Sequence, residues 1–488
     1  MNRPIRRVAI FVGVLLLAVV LNLNWVQVIR GSHYRNHEAN RRVQLDEYKR
    51  QRGSIVVQGT PIATSVPTKD ALLYLRRYAN GPLYGPLTGF NSLFYGQSGI
   101  ESAEDSVLSG NDDRLFVQRL TNLLTGRDRP GGNVVLTINK QAQAAAFQAM
   151  GARRGAVVAL NPATGAILAA VSTPSFDPNL LSSHSAVGIQ KAYNKYSNDT
   201  ENQPLLNRAF NQTYPPGSVF KVVVSAAALK AGRTPQSRVP AVNEITLPGT
   251  RTKLANFDHE QCDDGSTDTL DHALTISCNT AFAQLGMDLG AEAVRKEAAL
   301  FGIDDTDFSV PLRVDGSSLG PIADKSSLGQ TSIGQRDVRV TPLQAAMISA
   351  AVANQGILMT PYLVEEEQAP NLASLSHTEP SKLADVLTPA QAEQLTSMMT
   401  NVVDRGTGTA AQIPGIKVAG KTGTADTSPG VPPHAWFSGF APADAPSIAV
   451  AVIIENGGVR GNETTGGLAA APVAKAVMQA YLASIGVK

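Results

Sequence analysis

The 488-residue sequence predicts an α+β chain, on three observations that lie far apart along it. Gly155 to Ala169 alternates apolar residues around an Asn161-Pro162-Ala163-Thr164-Gly165 turn, the pattern of a hairpin that starts a sheet. Val418 to Ala425, Ala435 to Pro442 and Ile448 to Ile454 are runs separated by breaks, and they read as successive antiparallel strands. Between these regions, Ser218 to Leu229 is an apolar run that follows the turn residues Tyr214-Pro215-Pro216-Gly217 and ends at Ala231-Gly232. It reads as a buried helix with Ser218 in its first turn. A chain of this length is long enough for two or three domains with sizeable cores.

Taken in order, the chain opens on a basic leader, residues 1–7, with Arg3, Arg6 and Arg7. Val8 to Leu21 is an uncharged apolar run, extended by a softer stretch to Ile29. The strict run is short for a full span. No small-x-small cleavage site follows it, however, and Trp25 is placed as an interfacial aromatic, so an uncleaved anchor over residues 8–29 is expected in preference to a cleaved signal. The positive leader then stays in the cytoplasm and everything after Ile29 is exported. Tyr34 to Arg52 is polar and helix-like, and it leads into an irregular region rich in Gly, Pro, Tyr and Asn, with a turn at Thr125 to Gly132. The main domain follows, and within it Thr360 to Pro389 and Ala425 to Pro433 read as loops. A net charge of +2, 17% charged residues and no basic tail argue against nucleic acid. There is no Gly-rich phosphate loop or zinc-type cysteine spacing, and the seven histidines are scattered.

Three short motifs fall in one order: Ser218-Val219-Phe220-Lys221, Ser277-Cys278-Asn279 and Lys421-Thr422-Gly423-Thr424. Each is weak alone, and the ordered set is far more specific. Three residues apart on one helix, Ser218 and Lys221 share a face, so the amine can come within hydrogen-bond reach of the hydroxyl. A lysine base must be neutral; burial among apolar residues and a second cation, for which Lys421 is the candidate, would both lower its pKa. The helix dipole at Ser218 favours a developing oxyanion. A plain N-cap is the bland reading of Ser218, but it leaves a buried lysine in need of a partner.

Leu270 to Phe282 reads as a short helix, a turn and a new helix, which puts Ser277 and Asn279 on a loop. A hydroxyl there can relay a proton between Lys221, Lys421 and a leaving amine, while the Asn279 amide can fix a substrate backbone group; helix capping by either residue is compatible with those roles. Gly423 removes a side chain where another backbone must approach, so an extended peptide could add to this edge. Lys421 and the hydroxyls of Thr422 and Thr424 would then bind its C-terminal carboxylate.

In this order the motifs are the parts of a penicillin-recognising serine acyltransferase, and nearly the whole chain resembles the class B penicillin-binding proteins, most of all their actinobacterial PbpA type. Arg52-Gly53-Ser54-Ile55-Val56 with Gly59-Thr60-Pro61-Ile62-Ala63 is similar to that family's N-terminal segment. Tyr84-Gly85-Pro86-Leu87-Thr88-Gly89-Phe90 with Tyr95-Gly96-Gln97-Ser98-Gly99-Ile100-Glu101 is similar to the PbpA type in particular. Ile333-Gly334-Gln335 with Val340-Thr341-Pro342-Leu343-Gln344 resembles the segment before a long core helix, and no catalysis is assigned to it. Val57-Gln58 departs from the usual Asp-Arg, and Asn139 stands where Asp is usual.

The resemblance implies a penicillin-binding transpeptidase fold over residues 149–488, with an antiparallel sheet covered by helices, an all-helical subdomain and the cleft between them. It implies a smaller pedestal or dimerisation-like domain over 30–148 and a single N-terminal transmembrane helix. It also implies an oxyanion hole from the backbone N–H groups of Ser218 and Thr424, and needs neither metal nor cofactor. The function it implies is a single-pass cell-membrane D,D-transpeptidase that works outside the cytoplasm on stem peptides ending in D-Ala-D-Ala, carried on lipid-linked precursor strands. Ser218 would form the acyl-enzyme, and β-lactams would trap it. Residues 30–148 resemble no glycosyltransferase, so glycan polymerisation is expected from a partner of the SEDS class. A β-lactamase shares the three motifs, but the anchor, the additional domain and the lack of a further carboxylate base speak against it. A carboxypeptidase would use the same site with water as acceptor. Intact Lys221, Asn279 and Lys421 speak against a pure scaffold, and the short leader leaves no signalling domain for a β-lactam sensor. Export leaves Cys262 and Cys278 either paired or as two free thiols; a bond would be worth on the order of 3 kcal/mol and would hold the Ser277–Asn279 loop.

Overall fold

The computed structural model of the chain describes residues 2–30, 48–115, 130–305, 310–428 and 430–487. An α-helix over Asn2–Asn24 continues into a π-helical Trp25–Ile29. Its stretch Arg3–Gln27 is long and apolar enough to cross a membrane and is not buried by any of the described residues. The start of the helix-like stretch at Tyr34 and the turn at Thr125 lie outside the described residues.

The centre of the molecule is a five-stranded antiparallel sheet in the order Ala419–Ala425, His434–Ala441, Ile448–Ile454, Gly155–Leu160, Ile167–Thr173. The expected hairpin and the three expected strands are therefore one sheet, with the strand of the third motif at its edge. Gly155–Leu160, His434–Ala441 and Ile448–Ile454 are buried along their whole length, because helices cover both faces. Ala156, Val158, Ala449, Ala451 and Ile453 face one core together with the buried helix Pro342–Ala353. Val157, Ala159, Val450, Val452 and Ile454 face a second core with Lys140–Met150 and Ala471–Ser484. Alternate residues of one strand thus feed two cores. Helices Lys221–Lys230, Leu270–Thr275, Asn279–Leu289, Ala291–Leu300 and Lys325–Ser332 extend the first core as a helical layer.

A second sheet has six strands in the order Ser374–His377, Val364–Gln368, Asn133–Leu136, Ile55–Val57, Thr60–Pro67, Tyr74–Tyr78, with Ile55–Val57 and Asn133–Leu136 parallel. The loop reading of Thr360 to Pro389 is corrected here, since this segment holds those two strands and a third, Lys382–Asp385, paired with Ile357–Met359. Its Val364-Glu365-Glu366-Glu367-Gln368 run has no apolar alternation, and the pairing partner lies far back in the chain. A strand made by such long-range pairing leaves little local signal.

Within the N-terminal part, Arg52 and Arg76 clamp Glu101 from both sides, each Nε donating to a carboxylate oxygen at 2.6 Å. The Tyr78 hydroxyl adds a third bond at 3.0 Å, and Arg52 also reaches Asp105. Burial alone would raise the Glu101 carboxyl; the Arg76 and Arg52 guanidiniums overcome that and hold it below the usual carboxylate range. Two of the segments behind the resemblance, 52–56 and 95–101, meet in this knot. At the Asn139 departure the side chain accepts from the Ala142 N–H and caps Lys140–Met150, a job Asn does as well as Asp, and its amide also donates to Ser484 Oγ at 3.0 Å, which Asp could not do.

Candidate active site

Gly217–Phe220 forms a 3₁₀ turn that runs straight into the α-helix Lys221–Lys230. The turn needs its glycine twice over. Gly217 has φ +52°, and a Cβ there would sit 2.6 Å from the Thr424 carbonyl oxygen. Its N–H donates to the Gly334 carbonyl at 2.9 Å, Tyr214 pairs by two backbone bonds with Val340, and the Trp436 indole donates to the Pro215 carbonyl. Three separate elements therefore fix the residues leading into Ser218, which is itself half-buried and faces the cleft.

Lys221 and Lys421 are fully buried. Lys221 Nζ donates to the Ser277 carbonyl at 2.7 Å, to Asn279 Oδ1 at 2.8 Å and to Ser277 Oγ at 3.3 Å. Lys421 Nζ reaches the same Ser277 Oγ at 2.8 Å and the Thr422 carbonyl at 3.0 Å. Burial, and then the charge of Lys421, push the Lys221 amine well below its ordinary value. Burial brings Lys421 down to about 7. Among the described residues no acidic side chain balances this pair, which is why desolvation wins.

The Ser218 hydroxyl makes no hydrogen bond among the described residues. Lys221 is turned instead toward the carbonyl and amide oxygens of the Ser277–Asn279 loop, the strongest acceptors within its reach. Catalytic hydrogen bonds commonly tighten only when substrate is bound.

Ser277 adopts φ +65°, an uncommon conformation for a non-glycine residue. The loop is held from outside by Asn256, whose Oδ1 accepts from the N–H groups of Asn279 and Thr280, both at 3.0 Å, and so caps the helix Asn279–Leu289. Nothing local in the sequence marks Asn256, because the helix it caps starts 23 residues on. Cys278, in the same loop, is joined to Cys262 as a disulfide, with Cα atoms 6.1 Å apart.

On the edge strand, the Thr424 carbonyl faces Gly217 and the Thr422 carbonyl faces Lys421 Nζ. In an antiparallel ladder a residue's N–H and C=O point to the same side, so the Thr424 N–H also faces outward, beside the Ser218 turn. The backbone that approaches Gly423 is the chain's own: a Cβ there would sit 2.8 Å from the Pro216 carbonyl oxygen. Gly423 thus seats the Ser218 turn on the strand. The Thr422 hydroxyl is partnered by Thr407 at 2.6 Å, a residue the motifs did not single out. Ser218, Ser277, Asn279, Thr422 and Thr424 all line one cleft of about 710 Å³, with an apolar wall from Leu247, Leu254, Ile276, Ile333 and Leu468.

Comparison with known proteins agrees with this arrangement. Residues 155–479 match the penicillin-binding protein transpeptidase domain, and residues 52–134 match the penicillin-binding protein A dimerisation domain. The chain is 46% identical over 99% of both chains to the peptidoglycan D,D-transpeptidase PbpA of Mycolicibacterium smegmatis. It is 31% identical over 74% of its length to the peptidoglycan D,D-transpeptidase MrdA of Acinetobacter baumannii, of which it covers 57%. The ceftriaxone acyl-enzyme complex of penicillin-binding protein A from M. tuberculosis superposes with a TM-score of 0.88 at 47% identity, over 90% of this chain and all of that one. Sequence, sheet order and the meeting of three distant motifs lead to one conclusion: this chain belongs to the class B penicillin-binding protein transpeptidases.

Proposed function

We propose that the chain is a peptidoglycan D,D-transpeptidase that works through an acyl-enzyme on Ser218 and is inhibited covalently by β-lactams. The observation that carries the reading is the single Ser277 hydroxyl within hydrogen-bond reach of two buried lysines, at the mouth of a cleft that Ser218 also lines. Ser218 Oγ attacks the penultimate D-alanine carbonyl, and its proton passes to the neutral Lys221 amine. The oxyanion takes hydrogen bonds from the Ser218 and Thr424 N–H groups. As the tetrahedral adduct collapses, the C–N bond breaks and the D-alanine amine receives a proton relayed through Ser277 and Lys421. An amine of a neighbouring stem then attacks the ester, its proton leaves by the same route and Ser218 is restored. Asn279 orients Lys221 and the substrate backbone, and Thr422 and Thr424 hold the terminal carboxylate and the extended peptide, while Gly423 lets the Ser218 turn close on the strand.

The same reading gives residues 8–29 to a membrane anchor, with the leader 1–7 inside and residues 30–148 and 149–488 outside as pedestal and transpeptidase domains. The fully exposed apolar helix and the basic leader support it. The strands Val364–Gln368 and Ser374–His377 then brace the pedestal from the catalytic side. Lipid-linked strands reach the cleft through a SEDS-class polymerase docked on the pedestal and anchor. The Cys262–Cys278 bond keeps the Ser277–Asn279 loop in place in the exported protein.

The test is intact mass after exposure to penicillin, followed over hours, for wild type and Ser218→Ala. A long-lived adduct of one drug mass on wild type alone is expected. Rapid return to the free mass with drug hydrolysis would assign a β-lactamase, and no adduct at all would leave a scaffold.

A further inference from the structure

The cleft has a one-sided charge. Among the residues that line it, the side chains charged at neutral pH are Glu260 and Asp426; no arginine, lysine or histidine lines it, and Lys221 and Lys421 lie beneath its surface. The two carboxylates sit in different places. Glu260 ends the segment that brings Asn256 to the Ser277–Asn279 loop. Asp426 directly follows the edge strand Ala419–Ala425, is exposed and makes no ion pair among the described residues.

The direction of that strand says what Asp426 meets, granted the catalytic reading above. A terminal carboxylate held at Thr422, with the scissile carbonyl at the Thr424 N–H, makes the bound peptide run antiparallel to the strand. Its N-terminal side therefore leads from Thr424 toward Asp426. At about 3.4 Å per residue, the residue just before the D-Ala-D-Ala pair lies beside Ala425 and Asp426. We propose that Asp426 is a specificity-determining residue for the donor stem, selecting a side-chain ammonium, as on lysine or another diamino acid, at the position before D-Ala-D-Ala. Donors with a neutral or anionic group there are disfavoured. The edge of the sheet is open at this end, because the segment from Asp426 to Pro433 forms no strand among its described residues and leaves Asp426 facing the cleft.

The experiment uses the full chain in detergent and two synthetic donors ending in D-Ala-D-Ala, one with a free side-chain amine and one with that amine acetylated. The readout is D-alanine release, taken as the ratio of kcat/KM for the two donors, so that each variant carries its own control. Wild type is expected to favour the free amine about two- to fivefold, the range of an exposed ion pair, with the preference shrinking as salt is added. Asp426→Asn brings the ratio to one, Asp426→Glu keeps it, and Glu260→Gln keeps it. A wild-type ratio of one, or a ratio that survives Asp426→Asn, overturns the assignment. Those results leave the transpeptidase reading intact as long as D-alanine is released; no release from either donor together with no penicillin adduct would remove that reading itself.

Discussion

Ser277 Oγ stands 2.8 Å from one buried lysine and 3.3 Å from another, so one hydroxyl can pass a proton between two amines with no solvent between them. This arrangement has a cost that can be measured. Lys421 titrates near 10.5 when unfolded and about 7 when folded. Above 10.5 both states are neutral; between 10.5 and about 7 only the unfolded chain takes up the proton, so folding weakens by about 1.4 kcal/mol for each unit the pH falls. Below about 7 the loss is complete and the slope vanishes. Denaturant midpoints at pH 7, 8 and 9 should therefore rise more steeply for wild type than for Lys421→Met. Parallel slopes would mean that the folded lysine stays charged. A second residue-scale expectation concerns Asn256, which the motifs did not reveal. Asn256→Ala should cost about 1–2 kcal/mol through the lost cap and slow penicillin acylation through the loosened Ser277–Asn279 loop. Normal acylation in a destabilised variant would make Asn256 a cap and nothing more.

Among elements, the 3₁₀ turn Gly217–Phe220 and the strand Ala419–Ala425 form one unit, since Gly217 and Gly423 are both empty of side chain where the other's backbone approaches. Gly217→Ala combines a left-handed φ with a Cβ at 2.6 Å from the Thr424 oxygen. It should lower the rate of penicillin adduct formation by at least tenfold, because displacing one segment moves Ser218 and the Thr424 N–H apart. Unchanged acylation would show that the turn can shift without moving the proposed oxyanion hole. At this scale the sequence was informative in part. The turn residues, the apolar run after Ser218 and the break at Ser277 carry local signals. The strands at Val364–Gln368 and Ser374–His377 carry none, being polar; the first is defined by a partner far back in the chain, Asn133–Leu136, and the second only by pairing with the first.

For the whole molecule, the junction between the N-terminal part and the rest depends on shared structure: one six-stranded sheet takes strands from both. Glu101 lies near that junction, fully buried between Arg52 and Arg76. Glu101→Ala leaves two buried guanidiniums short of their counter-charge and should destabilise the fold by about 3–5 kcal/mol, seen as a fall in thermal midpoint; a change within measurement error would mean that water replaces the carboxylate. Thiol titration of the unreduced protein tests the Cys262–Cys278 pair, with no free thiol expected and two free thiols refuting the bond.

By itself the sequence determined the family, because Ser-x-x-Lys, Ser-x-Asn and Lys-Thr-Gly are fixed by local spacing and their order is specific. It also determined the apolar N-terminal helix and the strands of the central sheet, whose apolar runs are local. Tertiary structure alone decided that Ser277 bridges both lysines, that Asn256, Thr407 and Gly334 support the site, and that Asn139 both caps a helix and donates to Ser484. Those facts depend on contacts between residues distant in sequence, and burial and hydrogen bonding are settled only when the packed chain brings them together.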